Sequence, residues 1–297
     1  MNTFYGTGIA LVTPFNRETY VDFEGLNSVI THVSNGGADY LVLLGTTAET
    51  ATLNGIEKRQ IISFVKHHNP KKLPLMLGIG GNDTNEILEK MNETDFKGID
   101  GLLSVCPYYN KPSQEGIINH FKKIADYCPV PVYLYNIPGR TGVNMTAATT
   151  VALAKHPNIK GIKEASGDIV QAIEIMKNKP KDDFLLISGD DIYTLPFMSF
   201  GGVGVISAVA NALPSIFKKM TDAGLKGDFK TATEATFAFS SYNRLMFEEG
   251  NPVGVKALLS EMGICEDIVR LPLMRASDGL KGKIKEVYQR DKNEGRV

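Results

Sequence analysis

The sequence predicts an α/β fold, a (β/α)8 TIM barrel with a helical C-terminal extension, and three observations lead there. Short apolar runs recur about eight times in roughly 200 residues, with amphipathic segments between them. The runs do not alternate polar with apolar residues, as expected of parallel strands buried on both faces. After Ala208 the strand-like runs stop, and residues 213–292 hold only helix-like segments. The expected division is a barrel over residues 1–225 and a helical extension over 226–297 packed on it. A doubly wound open sheet is the alternative. It would normally need a phosphate-binding fingerprint after its first strand, and 8-GIALVTPF-15 has none.

The elements follow in order. After the first run, residues 23–37 place Phe23, Leu26, Val29, Ile30 and Val33 on one stripe, and two glycines end it. The second and third runs are 39-DYLVLLG-45 and 73-LPLMLGIG-80. A helix over 83–96 opens with a capping-box-like Thr84. The fourth run, 98-GIDGLLSVCP-107, leads to a helix over 113–127, with Ser113 as N-cap and Ile117, Phe121 and Ile124 on one face. Runs five to eight are 131-PVYLYNIP-138, 159-IKGIKEAS-166, 184-FLLISGDD-191 and 202-GVGVISA-208. All eight are too short for lone helices and rich in β-branched or large aliphatic residues. Segments 228–247 and 252–263 are the clearest helices of the extension.

Composition narrows the function. The net charge of −1, from 32 basic and 33 acidic residues, creates no field that would draw nucleic acid or anionic lipid. There is no basic run with interleaved aromatics, so no nucleic-acid partner is expected. No apolar segment is long enough to cross a bilayer, so no membrane partner is expected, and Met1–Gly8 does not read as a signal peptide. Three scattered cysteines, Cys106, Cys128 and Cys265, fit reduced thiols in a cytoplasm. The five histidines lack metal-ligand spacing, so no metal site is expected.

In such a barrel, chemistry belongs to the C-terminal ends of the strands and the loops after them. Those ends carry Thr46-Thr47, the glycines 78, 80 and 81, Tyr108-Tyr109-Asn110, Tyr135 with Arg140 beyond it, Lys163, Ser188-Gly189-Asp190-Asp191, and Ser207. The set suits small, oxygen-rich anions. Arg140 can grip a carboxylate with two parallel hydrogen bonds, and the hydroxyls and amides at Thr46 and Thr47 can hold a second. Taken alone, Lys163 is a snorkelling surface residue. In a strand, however, Ile162 and Lys163 point to opposite sides. If Ile162 faces the helices, Lys163 faces the barrel interior, where loss of water disfavours the ammonium form. A neutral amine is what attacks a ketone. Glu164 then points away from Lys163. Tyr135 is read as either a core tyrosine or a catalytic one, Tyr108-Tyr109 as a loop anchor, and Asp190-Asp191 as a helix N-cap pair.

These residues carry a resemblance. Segments 45-GTTAETATL-53, 106-CPYYNKPSQEG-116, 134-LYNIPGRTG-142, 161-GIKEASGD-168, 187-ISGDD-191 and 204-GVISAVAN-211 resemble the dihydrodipicolinate synthase family of the class I pyruvate aldolase superfamily, over nearly the whole chain. The resemblance implies a lyase that condenses pyruvate with L-aspartate 4-semialdehyde to 4-hydroxy-tetrahydrodipicolinate, the first committed step toward diaminopimelate and lysine. It implies that Lys163 forms a Schiff base with pyruvate and that Tyr135, Thr46 and Tyr109 relay protons. Tyr109 would come from a neighbouring subunit, within a homo-oligomer, a tetramer built as a dimer of dimers. Thr47 would hold the pyruvate carboxylate and Arg140 that of the semialdehyde, with Gly189 and Ile206 lining the pyruvate side. No cofactor is implied, because the lysine is the electron sink.

The family's lysine feedback site maps onto Thr50, Ala51, Gly55, Lys58, Asn82, Glu86 and Tyr108. Feedback-sensitive members resemble this chain less at Lys58, where they carry a histidine or an acid. A fixed positive charge beside a cationic effector is repulsive, so weak or absent inhibition is expected. Two other readings remain at this level: a related lyase that splits N-acetylneuraminate or a 2-keto-3-deoxy sugar acid, and a barrel that binds ligand without catalysis.

Overall fold

The structure, a computed structural model, describes residues 3–297. Its strands are β1 (Gly6–Ala10), β2 (Tyr40–Leu43), β3 (Leu75–Gly78), β4 (Gly101–Val105), β5 (Val132–Asn136), β6 (Ile159–Glu164), β7 (Leu185–Ser188) and β8 (Gly204–Ser207), and they close into a barrel in sequence order. The helices are α1 (Phe23–Asn35), α2 (Gly55–His67), α3 (Thr84–Asn92), α4 (Gln114–Tyr127), α5 (Pro138–Thr141), α6 (Ala147–Ala154), α7 (Ile169–Asn178), α8 (Thr194–Ser199), α9 (Pro214–Leu225), α10 (Phe229–Phe247), α11 (Val253–Glu261) and α12 (Asp278–Asn293). The expected (β/α)8 barrel with helices at its C-terminal end is what forms.

Each strand is shorter than its apolar run, and the rest of the run lies in the loops that flank it. The first run shows this. The strand stops at Ala10, yet Val12 and Phe15 stay buried while Phe15 forms an isolated antiparallel bridge with Val21. Apolarity thus reports burial, not ladder pairing.

Two compact units make up the chain. The first comprises residues 74–206 with the short segment before residue 6. Its strands pair in parallel, and Leu102, Leu134, Ile162, Leu186 and Val205 are fully buried. Ser113 caps α4 as expected, accepting from the Gly116 amide. The start of α3 differs from expectation. Asp83 is the cap, its carboxylate accepting from the amides of Asn85 and Glu86. An ionised oxygen at a helix N-terminus outbids a hydroxyl, and Thr84 instead pairs with His120 Nδ1 at 2.8 Å. Burial pushes the His120 imidazole down to about 4, so it is neutral there.

The second unit comprises residues 6–73 and 207–297. Here β1 pairs with β2, and α9 begins at Pro214, which supplies no amide where none is needed. The Phe217 and Phe239 rings join α9 to α10 with centroids 4.5 Å apart. No helix among the described residues is long and apolar enough to cross a membrane.

Candidate active site

In the first unit, strand register brings two of the expected residues together. Tyr135 of β5 lies opposite Lys163 of β6, and Lys163 lies opposite Ile187 of β7. Directly opposite residues share a face of the sheet. This register depends on an irregularity. Val132 pairs with Ile159, but Tyr133 pairs with Gly161, so Lys160 is an extra residue in β6. Without the insertion Tyr135 would face Ile162, because a one-residue slip exchanges the two faces. Gly161 makes room for the shift: a Cβ there would lie 2.6 Å from the Leu185 carbonyl oxygen and 2.9 Å from the Tyr133 ring.

Lys163 is 7% exposed and its Nζ sits 4.3 Å from the centre of the Tyr135 ring. It has no hydrogen-bond or ion-pair partner among the described residues. A lysine held this way keeps its nitrogen lone pair available once the proton leaves. Gly189 lets the lysine stem pass, since a Cβ there would come within 3.0 Å of Lys163 Cγ and Cε. Ile206 of β8 is buried in the same unit.

At its C-terminal end the other face of β5 and β6 is polar. Asn136, Glu164 and Ser188 lie in register on it, so Glu164 does point away from Lys163. The buried Glu164 carboxylate accepts from Asn136 Nδ2, from the Ser166 amide at 2.7 Å, and from Gln171 Nε2 of α7. Burial pushes this carboxyl up, and the donors around it pull the other way. Asp190 and Asp191 do not cap a helix. Helix α8 starts only at Thr194, and Asp190 Oδ1 closes a tight turn by accepting from the Ile192 amide. Burial raises the Asp190 carboxyl, with the Ile192 amide and then the charge of Lys163 opposing it.

Arg140 and Tyr109 stand apart from this pair. Arg140 is exposed at the end of α5, its guanidinium without a protein partner among the described residues. Tyr109 is 88% exposed and holds a left-handed backbone, φ 73°. Such a conformation is costly for a bulky side chain and persists where function or surrounding structure demands it.

In the second unit, Thr46 and Thr47 lie in a single turn of 3-10 helix, residues 46–48. Thr47 is buried, and its Oγ1 accepts from Asn251 Nδ2 at 3.0 Å. Thr13 donates to the Ala48 carbonyl at 2.8 Å. Glu49 follows in the left-handed region, φ 53°, and its carboxylate is held by Lys256 Nζ of α11 at 2.6 Å and by the Arg270 amide at 2.9 Å. Lys256 also donates to the Ile268 carbonyl and lies over the Phe15 ring. Sequence reading missed Asn251, Glu49 and Lys256 as supports of this turn, because the partners are about two hundred residues apart and no local pattern joins them.

The residues of the expected feedback site divide between the units. Thr50 and Ala51 lie in a second 3-10 turn and Lys58 on α2. Asn82 receives a hydrogen bond from Asn110 at its carbonyl, Glu86 pairs with Lys90 at 2.7 Å, and Tyr108 is half exposed. No group of three or more histidine, cysteine or acidic side chains among the described residues is arranged to hold a metal ion.

The profile of the dihydrodipicolinate synthetase family matches residues 3–290. The chain belongs to this family. It is 51% identical to a 4-hydroxy-tetrahydrodipicolinate synthase of Cytophaga hutchinsonii, with 97% of each chain covered. It is 47% identical to that of Flavobacterium psychrophilum, over 96% of this chain and 97% of the other. Among solved structures of the dihydrodipicolinate synthetase family, that from Aquifex aeolicus superposes with a TM-score of 0.93 at 36% identity, covering 97% of this chain and 98% of that one. The enzyme from Cyanidioschyzon merolae, solved with lysine bound, gives 0.93 at 35% identity over all of both chains.

Proposed function

We propose that the chain is a Schiff-base-forming lyase, a 4-hydroxy-tetrahydrodipicolinate synthase, that condenses pyruvate with L-aspartate 4-semialdehyde in the first committed step toward diaminopimelate and lysine. The observation that carries the reading is the buried, unpaired Lys163 amine directly opposite Tyr135. The neutral amine attacks the keto carbon of pyruvate to give a carbinolamine, and loss of water leaves the iminium. Loss of a methyl proton converts that to an enamine, whose carbon attacks the aldehyde. The amine of the bound product then adds to the imine carbon, closes the ring and displaces Lys163. The lysine itself takes up the electron pair, so the reaction calls for no cofactor.

Tyr135 gives and takes protons at the carbinolamine, with Thr46 and Tyr109 completing the relay. Thr47 holds the pyruvate carboxylate, backbone groups of Gly189 and Ile206 line the pyruvate side, and Arg140 grips the carboxylate of the semialdehyde. The exposed Tyr109 with its strained backbone supports donation to a neighbouring subunit, and so an oligomer. A second apolar surface on α7, at Ile169, Val170 and Ile173, supports a further interface and a tetramer built as a dimer of dimers. Three free cysteines support a cytoplasmic location. Helices from residue 226 onward form the extension. Lys58, at a position that matches the family's feedback site, supports weak or absent feedback by lysine.

Incubation with pyruvate followed by borohydride tests the reading. Reduction should fix a carboxyethyl group on the peptide bearing Lys163, and Lys163→Ala should abolish it. An unmodified wild-type peptide would remove the Schiff base.

A further inference from the structure

Thr47 differs from other threonines of its unit in how its hydroxyl is used. Thr13 donates its proton to the Ala48 carbonyl, and Thr52 donates to that of Glu49. Thr47 Oγ1 instead accepts, from Asn251 Nδ2 at 3.0 Å, and has no acceptor for its own proton among the described residues. It is also 3% exposed, so bulk water does not supply one. A hydroxyl has one proton and two lone pairs. With a lone pair engaged by an amide donor, the proton must point elsewhere, and the engaged oxygen becomes a better donor. A buried donor with nothing to donate to costs free energy until a ligand supplies the acceptor.

We propose that Asn251, at the entry to α11, is a positioning residue that fixes the Thr47 hydroxyl as a donor toward the carboxylate of the keto acid. The inference rests on Thr47 binding that carboxylate, and it adds the residue that sets the polarity of the bond. The turn carrying Thr47 is pinned by two further contacts, Thr13 on Ala48 and the Glu49–Lys256 pair. Asn251 is thus left with the hydroxyl itself, not the path of the backbone. Its Nδ2 also brings a partial positive charge to that side of the threonine, while its own Oδ1 is buried without a hydrogen-bond partner among the described residues.

A double-mutant cycle on pyruvate saturation of borohydride trapping tests this. Thr47→Val should raise the half-saturating pyruvate concentration about tenfold, the loss of one hydrogen bond to a charged group. Asn251→Ala should raise it several-fold, and the double variant should be no worse than Thr47→Val alone, because Asn251 acts only through that hydroxyl. Asn251→Asp keeps the shape, draws the Thr47 proton to itself and should weaken saturation at least as much as Asn251→Ala. Thermal melts identify any variant that fails to fold, and the other Asn251 substitution then completes the cycle. Additive losses, or Asn251 variants with wild-type saturation, overturn the role of Asn251 and leave the Schiff-base reading standing. Unchanged saturation in Thr47→Val overturns it together with the carboxylate role of Thr47. Absence of any adduct in the wild type removes both it and the reading beneath it.

Discussion

Replacing Lys256 by methionine should destabilise the fold sharply, and the structure sets the scale. Lys256 is fully buried and its ammonium makes two short bonds, 2.6 Å to Glu49 and 2.7 Å to the Ile268 carbonyl. Burial pushes that ammonium below its ordinary range, and the charge of Glu49 pulls it back. Methionine fills much of the volume but leaves the Glu49 carboxylate in the interior with only the Arg270 amide. Stranding one partner of a buried pair costs about 3–5 kcal/mol. Unfolding entropy near 2.1 cal/mol/K per residue gives about 0.6 kcal/mol/K for 297 residues. The expected fall in Tm is therefore about 5–8 °C. Circular dichroism melts at one fixed protein concentration measure it, because Tm depends on concentration wherever a protein self-associates. Glu49→Gln combined with Lys256→Met removes both charges and keeps an acceptor for Arg270, so it should recover more than half of the loss. A Lys256→Met protein melting within about 1 °C of the wild type, well below the expected shift, would refute the reasoning.

Three further outcomes are expected. Arg140→Ala should leave pyruvate trapping intact while raising the semialdehyde KM by about 10–100-fold, the range for losing a charge-assisted bidentate grip; steady-state kinetics with unchanged KM would take Arg140 out of that role. Lysine should fail to reach half-maximal inhibition at submillimolar concentration in the same assay, and Lys58→His should increase sensitivity; strong inhibition of the wild type would discard the repulsion argument. The Arg270 side chain, bonded to Glu57, holds that carboxyl below its ordinary range. A depressed folded value contributes stability above the ordinary carboxylate range, lost as pH falls through the folded value. Urea titrations of wild type and Glu57→Gln should therefore differ at neutral pH and converge in acid. A gap that persists in acid would mean the bond acts by some other route.

The barrel was legible because its strands are buried on both faces and so read as unbroken apolar runs, even where, as at Val12 and Phe15, the ladder has ended. Lys163 was legible for the same reason, since a charge in such a run must be accommodated. Its pairing with Tyr135 was not, because the extra residue in β6 that sets the register leaves no local mark beyond Gly161. The choice between Asp83 and Thr84 as cap turned on His120, thirty-six residues from Thr84, which claims the threonine hydroxyl. The Asp190-Asp191 pair looked like a cap because tight turns and helix starts share a composition. Asn251 and Lys256 stayed hidden because a support two hundred residues from the loop it holds has no periodicity to betray it.

Peptide mass mapping after borohydride reduction reads out whether the Lys163 amine bonds to pyruvate. The expected product is a carboxyethyl group on Lys163 that depends on pyruvate and is absent from Lys163→Ala. A wild-type protein that turns over both substrates yet carries no modification at Lys163 would contradict it.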